Sequence, residues 1–159
     1  MEKIKEPFVM MLIGPTLSGK STYIRSNYPS TEVISRDEIV MEVFGSRDYN
    51  SAFKEVDQKE VDRRLADRLV ATAAAKKNVI VDMTNMTVKR RMATLRNFGK
   101  DFTRVAVVFP ILSDEEYEKR NIDRNAKENK WIPPFVIKSM IDSYQEPSPA
   151  EGYDRTIFL

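Results

Sequence analysis

Two glycines, a lysine and a serine near the start of the chain have the spacing of a phosphate-binding loop. Gly14 is followed by four residues and then by Gly19, Lys20 and Ser21, which is the pattern G-x-x-x-x-G-K-[ST]. Glycines allow backbone angles that turn successive N–H groups towards phosphate oxygens. In this pattern the lysine reaches the β- and γ-phosphates, and the serine hydroxyl ligates Mg²⁺. These residues therefore predict a site for ATP and Mg²⁺.

The residues on either side of this loop favour the same interpretation over a glycine-containing turn with no ligand. The apolar run Phe8 to Ile13 predicts a buried strand before the loop, and Lys20 to Ser26 predict a helix after it. The N-terminus of that helix adds positive partial charge to the anion site. We expect ATP to contact the loop residues Gly14, Pro15, Thr16, Leu17, Ser18, Gly19, Lys20, Ser21 and Thr22.

Carboxylates follow two further predicted strands. Glu32 to Ser35 predict a short strand that leads into Arg36 and Asp37, and Asn78 to Asp82 predict a buried strand that ends in a carboxylate. Asp37 is a candidate general base for an attacking hydroxyl, and it is compatible with a second role as the N-cap of the next helix. Asp82 is a candidate Walker-B-type carboxylate that contacts Mg²⁺ directly or through water.

Short polar groups beside these carboxylates could contact a phosphate acceptor. Arg36 is either a surface charge or a bidentate ligand of an acceptor phosphate. Thr84 and Asn85 either donate hydrogen bonds at the site or serve as turn residues. The residues predicted to bind the acceptor are Arg36, Asp37, Asp82, Thr84 and Asn85.

A later helix carries two arginines on one face. Ser113 begins this helix in a capping-box pattern, and the helix is predicted to run to about Ala126. Arg120 and Arg124 are four residues apart and precede the polar segment Lys127 to Lys130. This arrangement suggests a lid that closes on ATP, with an arginine stabilising the transferring phosphoryl group.

The same residues also have purely structural interpretations. Ion pairs of Arg120 with Glu116 and of Arg124 with Glu128 have helical spacing and do not exclude the lid. Trp131, the only tryptophan, either stacks on a base or packs the lid down.

The remaining segments alternate between strand and helix patterns. We predict helices from Asp37 to Gly45, Tyr49 to Lys76, Thr87 to Phe98 and Phe135 to Tyr144, and strands from Thr103 to Pro110 and Thr156 to Leu159. The helix from Thr87 is rich in Lys and Arg, which suits either a nucleic-acid backbone or a solvated face. Strands that alternate with helices predict an α/β fold with a mostly parallel sheet, and its ligands bind beyond the carboxyl ends of the strands.

Composition narrows the chemistry. The chain has 159 residues, which predicts a single domain over 1–159, and it has no cysteine and no histidine. These absences exclude disulfides, the usual zinc sites and Ser-His-Asp catalysis, so general base work falls to a carboxylate, or less often to lysine or tyrosine. A net charge of +2 is too small to indicate nucleic acid. The absence of cysteine, of a secretion signal and of a membrane-length apolar run fits the cytoplasm.

Taken together, these motifs resemble the 5′-kinase domain of polynucleotide kinases, especially those of phages. The matching segments are Gly14 to Thr22, I-S-R-D (Ile34 to Asp37), V-D-M-T-N (Val81 to Asn85) followed by Arg90 and Arg91, K-R-N-x-x-R (Lys119 to Arg124), I-P-P (from Ile132) and E-P…E-G-Y (Glu146 to Tyr153). The resemblance implies a three-layer P-loop kinase fold with a helical lid. It also implies that Lys20 and Ser21 bind ATP and Mg²⁺, that Asp37 is the general base, and that Arg124 stabilises the phosphates during transfer to a 5′-hydroxyl of DNA or RNA.

The chain departs from the phage pattern at two positions. Phage members carry an arginine three residues after the general base, where it grips the acceptor phosphate, and this chain has Val40. Their third-strand acid can fall one position later, at Met83 here, so the D-x-T-N form looks like the animal and bacterial branch. Arg47, Arg90 and Arg91 are candidate replacements for the missing arginine. No phosphatase domain follows, so we expect a kinase without 3′-end processing.

Two rival functions follow from the same residues. A small-molecule kinase acting on nucleosides, sugars or nucleotide-sugars would use the same loop, Asp37 and lid arginine. A GTPase-type switch needs D-x-x-G after the third strand and N-K-x-D for guanine, whereas this chain has D-M-T-N and N-K-W-I. The motifs therefore disfavour a switch, and the choice of acceptor separates the two kinases.

Overall fold

A five-stranded parallel sheet forms the centre of the structure, a computed structural model that describes residues 3–159. Its strands are β1 (Phe8–Ile13), β2 (Glu32–Ser35), β3 (Val79–Asp82), β4 (Thr103–Val108) and β5 (Arg155–Phe158), in the order β2-β3-β1-β4-β5. Every neighbouring pair is parallel. The carboxyl ends of all five strands therefore meet at one edge of the sheet.

In the described part of the chain, seven α-helices connect these strands. They are α1 (Lys20–Asn27), α2 (Arg36–Phe44), α3 (Tyr49–Glu55), α4 (Gln58–Ala74), α5 (Val88–Leu95), α6 (Asp114–Glu128) and α7 (Pro134–Ser143), and a short 3₁₀ helix (Pro149–Glu151) precedes β5. Within residues 3–159, no helix combines the length and apolar character that crossing a membrane requires. The predicted α/β fold of the P-loop kinase type is confirmed.

The single long helix predicted from Tyr49 to Lys76 is wrong, because two helices occupy this segment. Val56 has extended backbone angles and ends α3. Asp57 then caps α4, and its carboxylate accepts hydrogen bonds from the N–H groups of Lys59 and Glu60. The apolar periodicity continues across the break, whereas a good N-cap residue starts a new helix.

The helix caps also correct the expected role of Asp37. The side chain of Ser35 is the N-cap of α2 and accepts a hydrogen bond from the N–H of Glu38, at 3.4 Å. Asp37 lies inside the first turn, so its carboxylate is not used for capping. The cap predicted at Ser113 is confirmed, because its hydroxyl accepts from the N–H of Glu116 at 3.2 Å.

Both faces of β1 are buried. Val9 and Met11 pack into one apolar cluster with residues of α4 and α5, and Met10 and Leu12 pack into a second cluster that includes Ile24 of α1. The sheet is therefore the middle of three layers. This two-sided burial holds the carboxyl end of β1, and with it the loop that follows.

Arg91 lies inside the protein and not on a basic surface, which corrects two expectations for it. Its guanidinium is fully buried and pairs with Glu151, with Nε 2.6 Å from Oε1. It also donates hydrogen bonds to the carbonyl oxygens of Asn85, at 2.8 Å, and Gln145, at 2.9 Å. Arg91 thus joins α5 to the loop after β3 and to the C-terminal segment, and it is not available to an acceptor phosphate.

We predict that Arg91→Met lowers the free energy of unfolding by about 3–5 kcal/mol, because it leaves the buried carboxylate of Glu151 without its counter-ion. Urea denaturation followed by circular dichroism measures this loss. Arg96→Met, at an exposed arginine that ends the same helix, is the matched control and should change stability by less than about 0.5 kcal/mol. Equal losses in both variants would show that the buried pair contributes nothing specific.

Candidate active site

A cleft of about 1640 Å³ opens at the carboxyl edge of the sheet. The loop after β1, the ends of β2 and β3, and helix α6 line it. The predicted site residues that line this cleft are Thr16, Leu17, Ser18, Gly19, Lys20, Ser21, Thr22, Arg36, Asp37, Asp82, Thr84, Asn85, Arg120 and Arg124. Gly14 and Pro15 complete the loop beneath them. The structure thus brings the predicted residues from four separate segments to one place.

The loop after β1 has the close packing and backbone angles that its glycines predict. A Cβ on Gly14 would lie 2.9 Å from the Cβ of Phe109, and the Gly14 N–H donates to the carbonyl oxygen of Thr84 at 3.0 Å. Leu17 and Gly19 have φ values of +69° and +93°. No side chain among the described residues caps the first turn of α1, so its N–H groups can bind an anion.

Lys20 folds back over this loop. Its Nζ donates to the carbonyl oxygens of Gly14, at 2.6 Å, and Pro15, at 3.1 Å. Burial lowers the pKa of Lys20 to about 8, although the negative charges of Asp82 and Asp37 act in the opposite direction. A phosphate beside Nζ would replace the carbonyl partners by a full negative charge and favour the protonated amine.

Helix α6 places two arginines against the phosphate-binding loop. Arg120 donates to the carbonyl oxygen of Leu17 at 2.9 Å, and it forms the predicted pair with Glu116, also at 2.9 Å. Arg124 donates from Nη2 to Oγ1 of Thr16 at 3.0 Å. The ion pairs found within residues 3–159 do not include the expected pair of Arg124 with Glu128.

The guanidinium of Arg124 is incompletely bonded. Its Nε is buried and has no hydrogen-bond partner among the residues that the structure describes. A buried donor without a partner costs about 1–3 kcal/mol. Phosphate oxygens bound between the loop and α6 would satisfy this donor, so the cleft fits the phosphates of ATP.

On the other side of the cleft, two side chains hold the carboxylate of Asp37. Lys130, just beyond α6, donates from Nζ to Oδ2 at 2.6 Å, and the Tyr49 hydroxyl donates to Oδ1 at 3.3 Å. Burial favours the neutral acid, yet the Lys130 ammonium and these hydrogen bonds hold the pKa of Asp37 below its usual value. The carboxylate is therefore ionised at neutral pH and can accept a proton.

Sequence reasoning did not find Lys130 or Tyr49. Lys130 was only part of a polar lid segment, and Tyr49 marked only the start of a helix. In the structure the Lys130 ammonium also lies over the Tyr49 ring, 4.2 Å from its centroid. No sequence signal joins the three residues, because Lys130 and Asp37 are 93 positions apart.

Asp82 faces the same cleft and suits a magnesium site. Burial raises its pKa, and the negative charge of Asp37 adds to that effect, whereas Lys20 opposes it. Residues 3–159 contain no group of three or more His, Cys, Asp or Glu side chains arranged to hold a metal. Mg²⁺ needs only one or two carboxylates when phosphates and waters complete its shell. The Asp82 carboxylate and the Ser21 hydroxyl therefore fit as a partial ligand set.

The other predicted acceptor residues already have partners within the protein. Arg36 donates to Asp62 at 2.9 Å and to Gln58 at 2.7 Å. Asn85 is buried with φ at +51°, and its amide donates to the carbonyl oxygen of Leu12 at 2.8 Å. Thr84 accepts the Gly14 N–H through its backbone. Thr84 and Asn85 thus brace the phosphate-binding loop, and their contact with an acceptor stays a prediction.

The candidate phosphate clamps have different surroundings. Val40 is fully buried in a cluster with Ile39, Ala52 and Val61, so position 40 faces the core and not the cleft. The remaining candidates are Arg47, which is exposed and pairs with Glu38 at 2.8 Å, and Arg90, which lines the cleft. The side chain of Arg90 has no ion pair or hydrogen bond with other residues in the described part of the chain.

Trp131 is 43% exposed, and packing of its ring against the lid stays a prediction. Its backbone N–H donates to Oδ1 of Asn50 at 2.9 Å, which joins the end of the lid to α3. Stacking of its ring on a base stays a prediction.

A family profile described as an AAA domain matches residues 9–147 of the chain. No curated protein sequence matches it. Among solved structures, the chain resembles one from the Pnkp1/Rnl/Hen1 RNA repair complex, with a TM-score of 0.69, 23% identity, and coverage of 89% of this chain and 45% of that one. It thus spans less than half the length of that chain.

The chain also resembles solved structures of proteins that are not polynucleotide kinases by name. A gluconokinase from Sinorhizobium meliloti 1021 is 12% identical, with a TM-score of 0.56 and coverage of 98% of this chain and 83% of that one. Kti12 from Chaetomium thermophilum, in complex with ADP-AlF3, is 16% identical, with a TM-score of 0.64 and coverage of 95% and 88%. At these identities the likenesses establish the fold and leave the substrate undetermined.

We predict that affinity for ATP falls about tenfold between pH 7 and pH 9, because Lys20 loses its charge above a pKa of about 8. Isothermal titration calorimetry at the two pH values measures the change. In Lys20→Arg the cation no longer titrates, so its affinity, whatever its absolute value, should be equal at both pH values. A wild-type affinity that does not vary with pH would contradict the loss of charge on Lys20 between pH 7 and pH 9.

Proposed function

The chain belongs to the AAA domain family, and from its site we propose that it transfers the γ-phosphate of ATP to the 5′-hydroxyl of DNA or RNA. Its kinase-type P-loop domain supports a phosphotransferase. One observation carries the step to chemistry: an ionised carboxylate, Asp37, lies across the cleft from Lys20 and the lid arginine Arg124. A nucleotide site alone does not need that carboxylate, whereas transfer to an alcohol does.

The donor half of the proposed site binds ATP. The N–H groups of the loop and of the first turn of α1 contact the phosphates, and Lys20 turns from the loop carbonyls to the β- and γ-phosphates. Arg124 donates a hydrogen bond to the phosphoryl group in transfer from its Nε–H, which has no partner among the described residues. Bound Mg²⁺, held by Ser21 and Asp82, would neutralise charge that develops on the phosphates.

The acceptor half uses Asp37. Its carboxylate accepts a hydrogen bond from the acceptor hydroxyl and takes the proton as the oxygen attacks the γ-phosphorus. A new P–O bond forms to the acceptor, the bond between the γ-phosphorus and the bridging oxygen breaks, and ADP leaves. The proton on Asp37 then passes to water, because the pKa of this carboxyl is low.

Two features support a polynucleotide as acceptor. The combination of motifs from Gly14 to Tyr153 resembles polynucleotide 5′-kinases, and one structural relative comes from an RNA repair complex. Arg90 adds a cation at the cleft that has no ion pair among the described residues, which suits a backbone phosphate near the 5′ end.

We also propose that residues 1–159 form one kinase domain and that it works in nucleic acid repair.

A small-molecule kinase is the second candidate function. It is favoured by the buried valine at position 40, where the phage pattern has an arginine that grips the acceptor phosphate. A gluconokinase is among the structural relatives, so this fold also serves a sugar kinase. The two candidates share Lys20, Asp37 and Arg124 and differ only in what occupies the acceptor half.

We predict that the protein labels 5′-hydroxyl oligonucleotides from ATP labelled in the γ-phosphate and leaves nucleosides and sugars unlabelled. Parallel reactions with each acceptor, with Mg²⁺ and with EDTA, measure this preference. EDTA should abolish the labelling, because it would remove the Mg²⁺ that Ser21 and Asp82 would hold to neutralise charge on the phosphates. A labelled sugar or nucleoside beside an unlabelled oligonucleotide would replace the polynucleotide proposal with the second candidate.

A further prediction concerns Asp37→Asn. This variant should lose turnover by about 10²-fold or more, because an amide cannot take the proton, while ATP still binds. Steady-state kinetics and calorimetry together measure both effects. Asp101→Asn, at an exposed carboxylate that pairs with Lys76, is the control and should keep wild-type turnover. Loss of ATP binding in Asp37→Asn would assign Asp37 to the metal and not to the acceptor.

A further inference from the structure

Both oxygens of the Asp37 carboxylate are held by residues outside the phosphate-binding loop. Lys130 donates to Oδ2 at 2.6 Å and Tyr49 donates to Oδ1 at 3.3 Å. The Lys130 side chain is only 14% exposed, although it lies in a polar segment between two helices. The Tyr49 ring supports the ammonium from one side, 4.2 Å away. A surface lysine would not normally be held this closely.

The segment that carries Lys130 is itself attached to α3 by hydrogen bonds. The Asn50 amide donates to Oδ1 of Asn125, at 3.1 Å, and of Asn129, at 3.3 Å. Asn129 donates in turn to Asp48, the residue before α3. Asn129 also ends α6 in the left-handed region, with φ at +51°, so the chain turns at this point and directs Lys130 into the cleft.

One structural element therefore reaches both halves of the site. Arg124 lies on α6 and contacts the donor side through Thr16, and Lys130 follows α6 by two residues and contacts the acceptor side through Asp37. A movement of α6 away from the loop would release both contacts together. Lys127, between them in sequence, pairs instead with Asp123 on the exposed face of the same helix.

We propose that Lys130 is a positioning residue for the Asp37 carboxylate, so that closure of α6 over ATP also aligns the base for the acceptor hydroxyl. This inference rests on the proposed role of Asp37 as the general base. A carboxylate oxygen can accept two hydrogen bonds, so Asp37 can receive the acceptor hydroxyl without losing Lys130. The ammonium keeps its protons, and the proton that moves is the one from the acceptor oxygen to Asp37.

The electrostatic surroundings of Asp37 support this role. The charged and titratable groups that face it are Lys130, Tyr49, Arg124, Lys20 and Asp82. Lys130 and Arg124 favour the ionised carboxylate, and Asp82 opposes them. Lys130 makes the closest contact and the largest favourable contribution, so its removal should leave a misaligned carboxylate that is protonated at higher pH.

The test compares Lys130→Met and Lys130→Arg with wild type, with the oligonucleotide as acceptor. We expect Lys130→Met to lose about 10- to 100-fold in kcat/KM for the acceptor, with KM for ATP changed by less than about twofold. Its acidic limb of kcat/KM should move to higher pH, and Lys130→Arg should restore most of the activity. The matched control is Lys138→Met, which removes an exposed lysine of α7 that does not line the cleft and should match wild type.

Three results would overturn the proposal. A Lys130→Met enzyme that is faster than wild type would make Lys130 an inhibitory latch on Asp37. An unchanged acidic limb would remove its influence on the base. A loss confined to KM for ATP, or accompanied by a matching loss of thermal stability, would make Lys130 only a fastening of the lid.

A second measurement needs no acceptor. The Asp37 carboxyl carbon, assigned with Asp37→Asn, is titrated by ¹³C NMR in wild type and in Lys130→Met, and it should titrate at higher pH in the variant. If wild type labels no oligonucleotide but this shift occurs, the proposed function fails and the contact of Lys130 with Asp37 stands. An unchanged titration overturns the inference even if oligonucleotides are labelled.

Discussion

Parallel pairing of β1 with both β3 and β4 is the constraint on which the site depends. The two neighbours pair with β1 along both of its sides, apolar clusters that include helix residues bury its two faces, and the loops after β1 and β3 meet at the carboxyl edge of the sheet. The Gly14 N–H then bonds to Thr84, and Asn85 reaches back to the carbonyl oxygen of Leu12. The buried pair of Arg91 and Glu151 holds the loop after β3, because Arg91 also donates to the carbonyl oxygen of Asn85 in that loop. The phosphate-binding loop is therefore braced before any ligand arrives.

Cationic and anionic side chains lie close together in the cleft. Three cations, Lys20, Arg124 and Lys130, face the carboxylates of Asp37 and Asp82. Lys20 donates to carbonyl groups, and Arg124 has a donor with no partner in residues 3–159, so both cations can bind a phosphate. Asp37, in contrast, already accepts one hydrogen bond on each of its oxygens. The donor half thus has cationic groups that a phosphate can bind, whereas Asp37, the proposed base, is held by Lys130 and Tyr49.

Local features of the site could be predicted from sequence, and long-range ones could not. The loop from Gly14 to Ser21, the strand before it and the helix after it follow from residue types at short spacing. The helix break before Asp57 could not be predicted from apolar periodicity, because the periodicity continues across the residue that caps α4. Arg91 was misjudged because its partner lies 60 positions away, and charge alone does not reveal burial. Lys130 escaped notice for the same reason, since only the folded chain brings it to Asp37.

Phosphoryl transfer at this site is tested most directly by a crystal structure with ADP, aluminium fluoride, Mg²⁺ and a 5′-hydroxyl oligonucleotide. We predict that the 5′-oxygen of the oligonucleotide lies within about 3 Å of the Asp37 carboxylate, in line with the aluminium fluoride and the β-phosphate oxygen of ADP. Lys20 and Arg124 should contact the fluoride group, and Lys130 should remain on Asp37. A terminal oxygen bound elsewhere in the cleft, with Asp37 on the metal, would contradict Asp37 as the general base for a polynucleotide end.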